Sequence, residues 1–224
     1  MPPTTLSSVP TVLTDSRLGR LPQFDMRSLE YPMEEVISNT RPIRSRDWKQ
    51  RQFMSQGQKP HCVGYSIALE IGMQPYYHHV TDYLADLIYS EAQKIDYWPG
   101  EGYPGTSVLA GMQIALKMGF YKEFRWALKP DPIGDICRML TYVGPVVMGT
   151  NWYTGMYHRD IDGVVYPTGA VVGGHAYTLK RLDWAKKRVY SPNSWGDEGF
   201  WLTLDGLEKL IYENGEAAIP IARD

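Results

Sequence analysis

Three short segments, far apart in the chain, carry side chains that together could perform acyl transfer through sulfur: Gln56-Gly57-Gln58-Lys59-Pro60-His61-Cys62, Gly173-Gly174-His175-Ala176 and Asn193-Ser194-Trp195-Gly196. A thiol attacks a carbonyl as thiolate, which an adjacent imidazole and a helix N-terminus both favour. Cys62 is the candidate nucleophile and His175 the candidate base. A base must present the right ring nitrogen, and an amide oxygen accepting from the other nitrogen does this; Asn193 is the candidate. Trp195, two residues on, could cover that contact and exclude water. The oxyanion that forms needs preorganised donors, which the Cys62 backbone N–H and the Gln56 side chain could supply. Gly57 gives that loop freedom to turn back. Any one Cys, His or Asn is more often structural than catalytic; four complementary roles in Gly-rich turn surroundings reverse that expectation.

Positioning these groups requires a helix under the cysteine and strands under the other two. Val63, Ile67, Ala68 and Ile71 recur near helical spacing, and Pro60 suits a helix start, so Cys62 is expected in the first turn of a buried helix. A second helix is predicted from about 81 to 94, on the stripe Tyr83, Leu84, Leu87, Ile88 and Ala92. A Gly- and Pro-rich loop over 98–105 follows, and then a third helix capped by Thr106 or Ser107 and running to about Met118. Beyond Gly144-Pro145 the pattern turns strand-like over 146–149, 163–166, 170–179, 188–190 and 200–204. A short helix over 206–212 and a strand over 217–221 finish the chain. Helices first and strands afterwards imply an α+β protein of two lobes, with Cys62 from one and His175 and Asn193 from the other, facing each other across a cleft.

At 224 residues and 43% hydrophobic, the chain can bury a sizeable core. Lys plus Arg (23) nearly balance Asp plus Glu (25), so no charge excess points to nucleic acid. The two cysteines, Cys62 and Cys137, are too few for a disulfide framework, and no CxxC or HExxH spacing suggests a metal. No cofactor and no metal are expected. Cys137 reads as a small buried apolar residue, while His78, His79 and His158 receive no role. Residues 1–20 lack a basic start and an apolar run and so do not read as a signal peptide; they read as a flexible or surface-draped arm. No apolar stretch reaches the roughly 18 residues of a membrane span. A cytoplasmic protein is the expectation, with a viral particle as the other setting.

The whole pattern resembles the papain-like cysteine peptidases. QGQKPHCVGYS stands where that family carries its Gln-Gly and its nucleophilic Cys opening a long helix. LPQFDMRS resembles the start of a mature domain, GEGYPGTSVLAGMQIALKMGF the substrate-binding loop and next helix, GPVVMG the start of the barrel lobe, GGHAYTL the His strand, and NSWGDEGFWLTL the Asn turn. The likeness covers about 21–224. His175 follows Cys62 at less than the family's spacing of about 130–150 residues, and Asn193 sits at its lower edge, which shortened loops would explain.

The resemblance implies a papain-like two-lobe fold: a helical lobe over about 45–130, a C-terminal antiparallel β-barrel-like lobe over about 140–224, and the active site in the cleft. It implies Cys62 as nucleophile, His175 as base and later acid, Asn193 as orienter and Gln56 as oxyanion donor. Gly102, flanked by Glu101 and Tyr103, matches the glycine whose backbone pairs with an extended peptide. Ala176 matches a residue of the pocket for the second side chain upstream of the cut, and Gly174 and Trp195 complete the substrate-binding set. Departures are equally specific: Pro60 replaces a glycine bordering the primary subsite, His61 abuts the nucleophile as a weaker alternative base, and a family disulfide is lost with its first Cys. The long inhibitory propeptide of many relatives has no room in the 20 residues before Leu21, so restraint by compartment, selectivity or a partner is expected. The implied activity is peptide-bond hydrolysis on peptide or protein substrates. A second reading makes the fold a binding or structural module, for example in a viral particle, with weak or no proteolysis; a third is amide transfer or ligation.

Overall fold

The computed structural model describes residues 15–23, 31–98, 103–128, 130–196 and 199–222. After a short strand β1 (Arg46–Asp47), three helices follow: α1 (Cys62–Ile71), α2 (Asp82–Gln93) and α3 (Val108–Lys117). Their starts have local causes. The Thr81 hydroxyl accepts from the Leu84 N–H, and the Ser107 hydroxyl from the Ala110 N–H at 3.0 Å, satisfying first-turn donors. Every residue of α1 is buried, because the helix lies under α2 and α3 on one side and sheet on the other.

Strand β2 (Tyr121–Trp126) and helix α4 (Pro132–Tyr142) lead into β3 (Val146–Tyr153), β4 (Val164–Val165), β5 (Val171–Leu179), β6 (Arg181–Asp183), β7 (Arg188–Ser191) and β8 (Phe200–Thr203), then α5 (Leu204–Tyr212) and β9 (Glu216–Ala222). The strands form two open sheets, ordered β2-β9-β3-β5 and β1-β6-β7-β8-β4. Strand β3 is the hub of the first, pairing antiparallel with β5 (Thr150 opposite His175) and with β9 (Gly149 opposite Glu216).

That four-stranded sheet is buried on both faces. Val146 and Met148 of β3, Tyr177 of β5 and Ala217 and Ile219 of β9 enter one core together with α4 and α5. The intervening Val147, Ala176 and Ala218 enter a second core built on α1, α2 and α3. The period-two alternation of strand side chains therefore carries the sheet between two cores. It also leaves His175 and Ala176 at the seam, on opposite faces of one strand.

The expected α+β class and the helices and strands read from the pattern are present, with two corrections. The β lobe is not a closed barrel but two open sheets, and one pair, β4 with β8, is parallel. Helix α4 was not anticipated; Asp131 caps it by accepting from the Gly134 N–H at 3.0 Å, and Pro132 opens it. Its Ile133, Ile136, Cys137 and Leu140 recur at helical spacing, a signal the sequence reading passed over. Among the described residues, no helix is long and apolar enough to cross a membrane.

Candidate active site

Cys62 opens α1 and is fully buried, and its Sγ accepts a hydrogen bond from the Ala176 N–H at 3.4 Å. This contact joins the helix to β5 one residue beyond His175. Burial pushes the thiol up to about 11, against the opposing pull of backbone N–H groups from Ala176, Gly19 and Val63. As it stands the sulfur is protonated at neutral pH, despite the helix dipole that favours thiolate.

His175 is also fully buried, and its Nε2 lies 2.8 Å from Asn193 Oδ1. A carboxamide oxygen can only accept, so Nε2 carries the proton and Nδ1 holds a free lone pair. Among the described residues Nδ1 has no hydrogen-bond partner. Burial draws the ring down to about 4; the bond to Asn193 opposes this, the guanidinium of Arg17 adds to it, and Asp15 counters Arg17. Trp152 meets the ring edge-on at 4.9 Å and Trp195 lies tilted against it at 4.6 Å. Asn193 adopts φ +59°, a left-handed conformation that asparagine tolerates better than most residues, and its Oδ1 also accepts from the Ser194 N–H.

Gln56 ties these parts together. Its Oε1 accepts from the Ser194 hydroxyl at 2.6 Å, its backbone N–H donates to Ser194 O at 2.8 Å, and its Nε2 donates to Lys59 O and to Arg17 O. Ser194 and Trp152 were missed by sequence reasoning. Ser194 could have been found from its place inside the Asn turn, whereas nothing local marks Trp152, which reaches the imidazole only through the pairing of β3 with β5.

The groove in front of Cys62 is filled by the chain itself. The arm expected to be flexible or draped on the surface is, over its described residues 15–20, packed into the cleft. Arg17 O accepts from Gln56 Nε2 at 2.9 Å, and the Arg17 guanidinium lies 3.9 Å over the Trp195 ring. Leu18 is fully buried. Gly19 O accepts from the Thr106 N–H at 2.9 Å, the Arg20 N–H donates to Gly174 O at 3.0 Å, and the Leu21 N–H donates to Thr106 O at 2.9 Å. The physical reason is chemical complementarity: a segment that turns over 15–18, closed by the Leu18 N–H to Asp15 O bond, presents one apolar residue and two arginines and finds hydrogen-bond partners on Gln56, Thr106 and Gly174.

The remaining expected residues divide. Gly174, Ala176 and Trp195 line the site. Tyr103 lies on the far wall, where its hydroxyl donates to Asp96 Oδ1 at 2.5 Å and its carbonyl accepts from Gln93 Nε2. Glu101 and Gly102 fall outside the described residues. In the described part of that wall Thr106 pairs with the arm, in a parallel bridge to Arg20. His61, the weaker alternative base, is held on the α2 side: its Nδ1 is 2.7 Å from Asp86 Oδ1 and its ring stacks on Tyr89 at 3.8 Å. Both cysteines are free, and among the described residues no three His, Cys, Asp or Glu side chains group as a metal site.

No family model matches the sequence. No curated protein sequence matches it. Solved structures do: xylellain, a cysteine protease from Xylella fastidiosa, superposes with a TM-score of 0.69 at 16% identity, covering 96% of this chain and 100% of that one. The fold is papain-like. A digestive procathepsin L2 from the larval midgut of Tenebrio molitor superposes at TM-score 0.60 and 14% identity, over 94% of this chain and 81% of its own. A procathepsin B from Trypanosoma congolense does so at 0.53 and 12%, over 93% and 84%. Identities this low establish architecture; within it, His175 is paired with Asn193 and the next residue of the strand, Ala176, with Cys62.

Proposed function

We propose that the chain is a cysteine peptidase whose resting form is closed by its own residues 15–21. The observation that carries this reading is the pairing of His175 Nε2 with Asn193, which leaves Nδ1 buried and, among the described residues, unpartnered, on a strand whose next residue, Ala176, donates its N–H to the Cys62 sulfur. When the arm leaves, Nδ1 accepts the Cys62 proton and the thiolate attacks a peptide carbonyl carbon. The oxyanion is held by the Cys62 N–H and by the Gln56 Nε2–H that Arg17 O now occupies. Collapse breaks the C–N bond, with His175 returning the proton to the leaving amine. Water, deprotonated by the same nitrogen, then releases the acyl group from sulfur. The alternative fates of the thioester, transfer to an amine or hydrolysis, differ only in the attacking nucleophile.

An epoxysuccinyl inhibitor tests the assignment. Stoichiometric mass addition at Cys62, abolished by Cys62→Ala and accelerated when the arm is unseated, is the expected result. A folded, arm-displaced protein that neither labels nor cleaves any peptide overturns it and leaves the fold as a binding module.

A further inference from the structure

We infer that Asp86, on α2, is a positioning residue for the chemistry at Cys62: its two carboxylate oxygens hold Lys59 and His61 and so fix the turn that joins the two oxyanion donors, the Gln56 amide and the Cys62 N–H. Its bearing on catalysis rests on the peptidase reading above, and the clamp itself rests on geometry. Lys59 Nζ donates to Asp86 Oδ2 at 2.7 Å, and His61 Nδ1 lies 2.7 Å from Asp86 Oδ1. Burial works to raise this carboxyl, yet the hydrogen bonds from Lys59 and His61 hold it below its ordinary value. It is therefore ionised at neutral pH and can only accept, which puts a proton on His61 Nδ1.

Asp86 is a firm anchor because α2 is seated directly against α1. A Cβ on Gly64 would stand 2.1 Å from the Ala85 carbonyl oxygen and 3.1 Å from Tyr89 Cβ, so the two helices touch beside the clamp. Tyr89 and Gln93 follow Asp86 at i+3 and i+7 and share its face of the helix. The Tyr89 ring stacks on His61 at 3.8 Å, while its hydroxyl accepts from the Gly105 N–H at 2.8 Å. Gln93 Nε2 donates to the Tyr103 and Gly105 carbonyls at 2.8 and 3.1 Å. One helical face thereby sets the nucleophile turn against the wall at 103–106, with Asp86 on the turn, Gln93 on the wall and Tyr89 touching both.

The turn has little else to hold it once the arm leaves. Gly57, Gln58 and Lys59 are exposed, and a Cβ on Gly57 would meet open space. The arm supplies the Ser16 hydroxyl, 3.3 Å from Gln58 Oε1, and the Gly19 backbone packed on the Pro60 carbonyl, and both are withdrawn with it. Gln56 stays tied to Ser194, and its Nε2 donates to Lys59 O at 2.6 Å. A shift of Lys59 therefore disturbs the same amide that must address the oxyanion, and Asp86 holds the far end of that residue. With side chains 50% and 33% exposed, the Lys59–Asp86 pair adds little to folding stability, so its loss is expected in rate rather than in melting temperature.

The test uses the full chain with the arm loosened by Arg20→Ala, which deletes the guanidinium that donates to Glu216 Oε1 and to the Asn214 carbonyl. Should that variant not fold, Leu18→Ala, which removes the arm's buried apolar side chain, is the second background. Adding Asp86→Asn is expected to lower kcat for the best-cleaved member of a fluorogenic peptide library by at least about tenfold, with KM changed less than about twofold. Alkylation of Cys62 by iodoacetamide forms no oxyanion, so its rate should change by less than about twofold, and the melting temperature by less than about 4 °C. Amide hydrogen exchange over 57–62, read by mass spectrometry, should quicken by at least about fivefold. Lys59→Met should lower kcat alone and add nothing to Asp86→Asn, because both delete the same contact. An unchanged kcat, or one that falls in step with the alkylation rate and the melting temperature, overturns the positioning role and leaves the peptidase. If the background cleaves no peptide, hydrogen exchange decides the clamp: quicker exchange in Asp86→Asn keeps it and unchanged exchange overturns it. If Cys62 also fails to label, the peptidase falls whatever the exchange shows.

Discussion

Gly19→Ala should convert a closed protein into an open one, and the structure sets the size of the effect. A Cβ at this position would lie 1.9 Å from the Pro60 carbonyl oxygen and 2.6 Å from its carbon, backbone atoms that no rotamer change can move. Bringing that contact past 3.0 Å requires a displacement of about 1 Å. Two hydrogen bonds flank the position, from the Thr106 N–H to Gly19 O at 2.9 Å and from the Arg20 N–H to Gly174 O at 3.0 Å. Lengthened by that amount, neither remains a hydrogen bond. At about 0.5–1.5 kcal/mol each, their loss weakens docking of the arm by about 1–3 kcal/mol. Since about 1.4 kcal/mol is tenfold, the open population rises by about 5- to 150-fold. The assay is the second-order rate of Cys62 alkylation by iodoacetamide at fixed pH, read by intact mass, alongside hydrolysis of a fluorogenic peptide mixture. Both rates should rise by that factor, in a protein whose far-ultraviolet circular dichroism is unchanged. A folded Gly19→Ala protein that alkylates at the wild-type rate would refute the claim that residues 15–21 are the barrier.

Three further outcomes are expected. Asn193→Ala removes the acceptor that fixes the His175 tautomer and ring plane; in the Gly19→Ala background kcat/KM should fall by about a hundredfold, with KM for the same peptides little changed in steady-state assays. Glu70, buried with one carboxyl oxygen unpartnered among the described residues and the other accepting from Tyr121, is raised by burial from 4.5 to about 8. The folded state then binds more protons than the unfolded one between those values, so this contribution is whole below the unfolded pKa and is lost as pH rises through about 8. Urea unfolding of the wild type should lose stability over that window with a slope of up to about 1.4 kcal/mol per pH unit, and Glu70→Gln should flatten it. For His175 the sign is opposite: with its pKa lowered from 6.5 to about 4, the folded state binds fewer protons in that window, so stability falls as pH drops through it. His175→Asn should remove that part of the acid sensitivity in the same titration.

What could be read from the chain was local, and what could not was held by distant pairing. Cys62 at a helix start followed from Pro60 and the spacing of Val63, Ile67 and Ile71, all short-range features. His175 and Asn193 stood out because glycines and a tight turn frame them. The arm gave no such sign. Leu18 is one apolar residue in a polar stretch, and its burial depends on a core assembled from α4, α5 and the sheets. Arg20 meets Glu216 across 196 positions, so neither residue carries a signal of the other. The barrel-like lobe was implied by the resemblance alone, since strand succession does not reveal register; both sheets end in edge strands, β2 and β5 in one and β1 and β4 in the other, and a late strand, β9, lies between the earlier β2 and β3. Glu101 and Gly102, expected to pair with substrate, lie outside the described residues, and the same wall shows its pairing capacity at Thr106 instead.

The protonation states of the pair argue that closure is more than a steric plug. With the arm in place the thiol sits at about 11 and the imidazole at about 4, both moved chiefly by burial, so at neutral pH both groups are neutral. Residues of the arm act in both directions: Arg17 lowers the imidazole and Asp15 raises it, while the Gly19 N–H and Arg20 lower the thiol. Burial is the largest cause of both shifts, so when withdrawal of residues 15–21 readmits water, the relief of desolvation is expected to outweigh those lost contributions, lowering the thiol and raising the imidazole. Each shift reinforces the other, because thiolate and imidazolium attract. The alkylation rate of Gly19→Ala should therefore be flat across neutral pH and decline only in acid, while the residual wild-type rate keeps climbing into the alkaline range. A Gly19→Ala profile that climbs in parallel with the wild type would mean that the helix and strand, rather than the arm, set the sulfur's character.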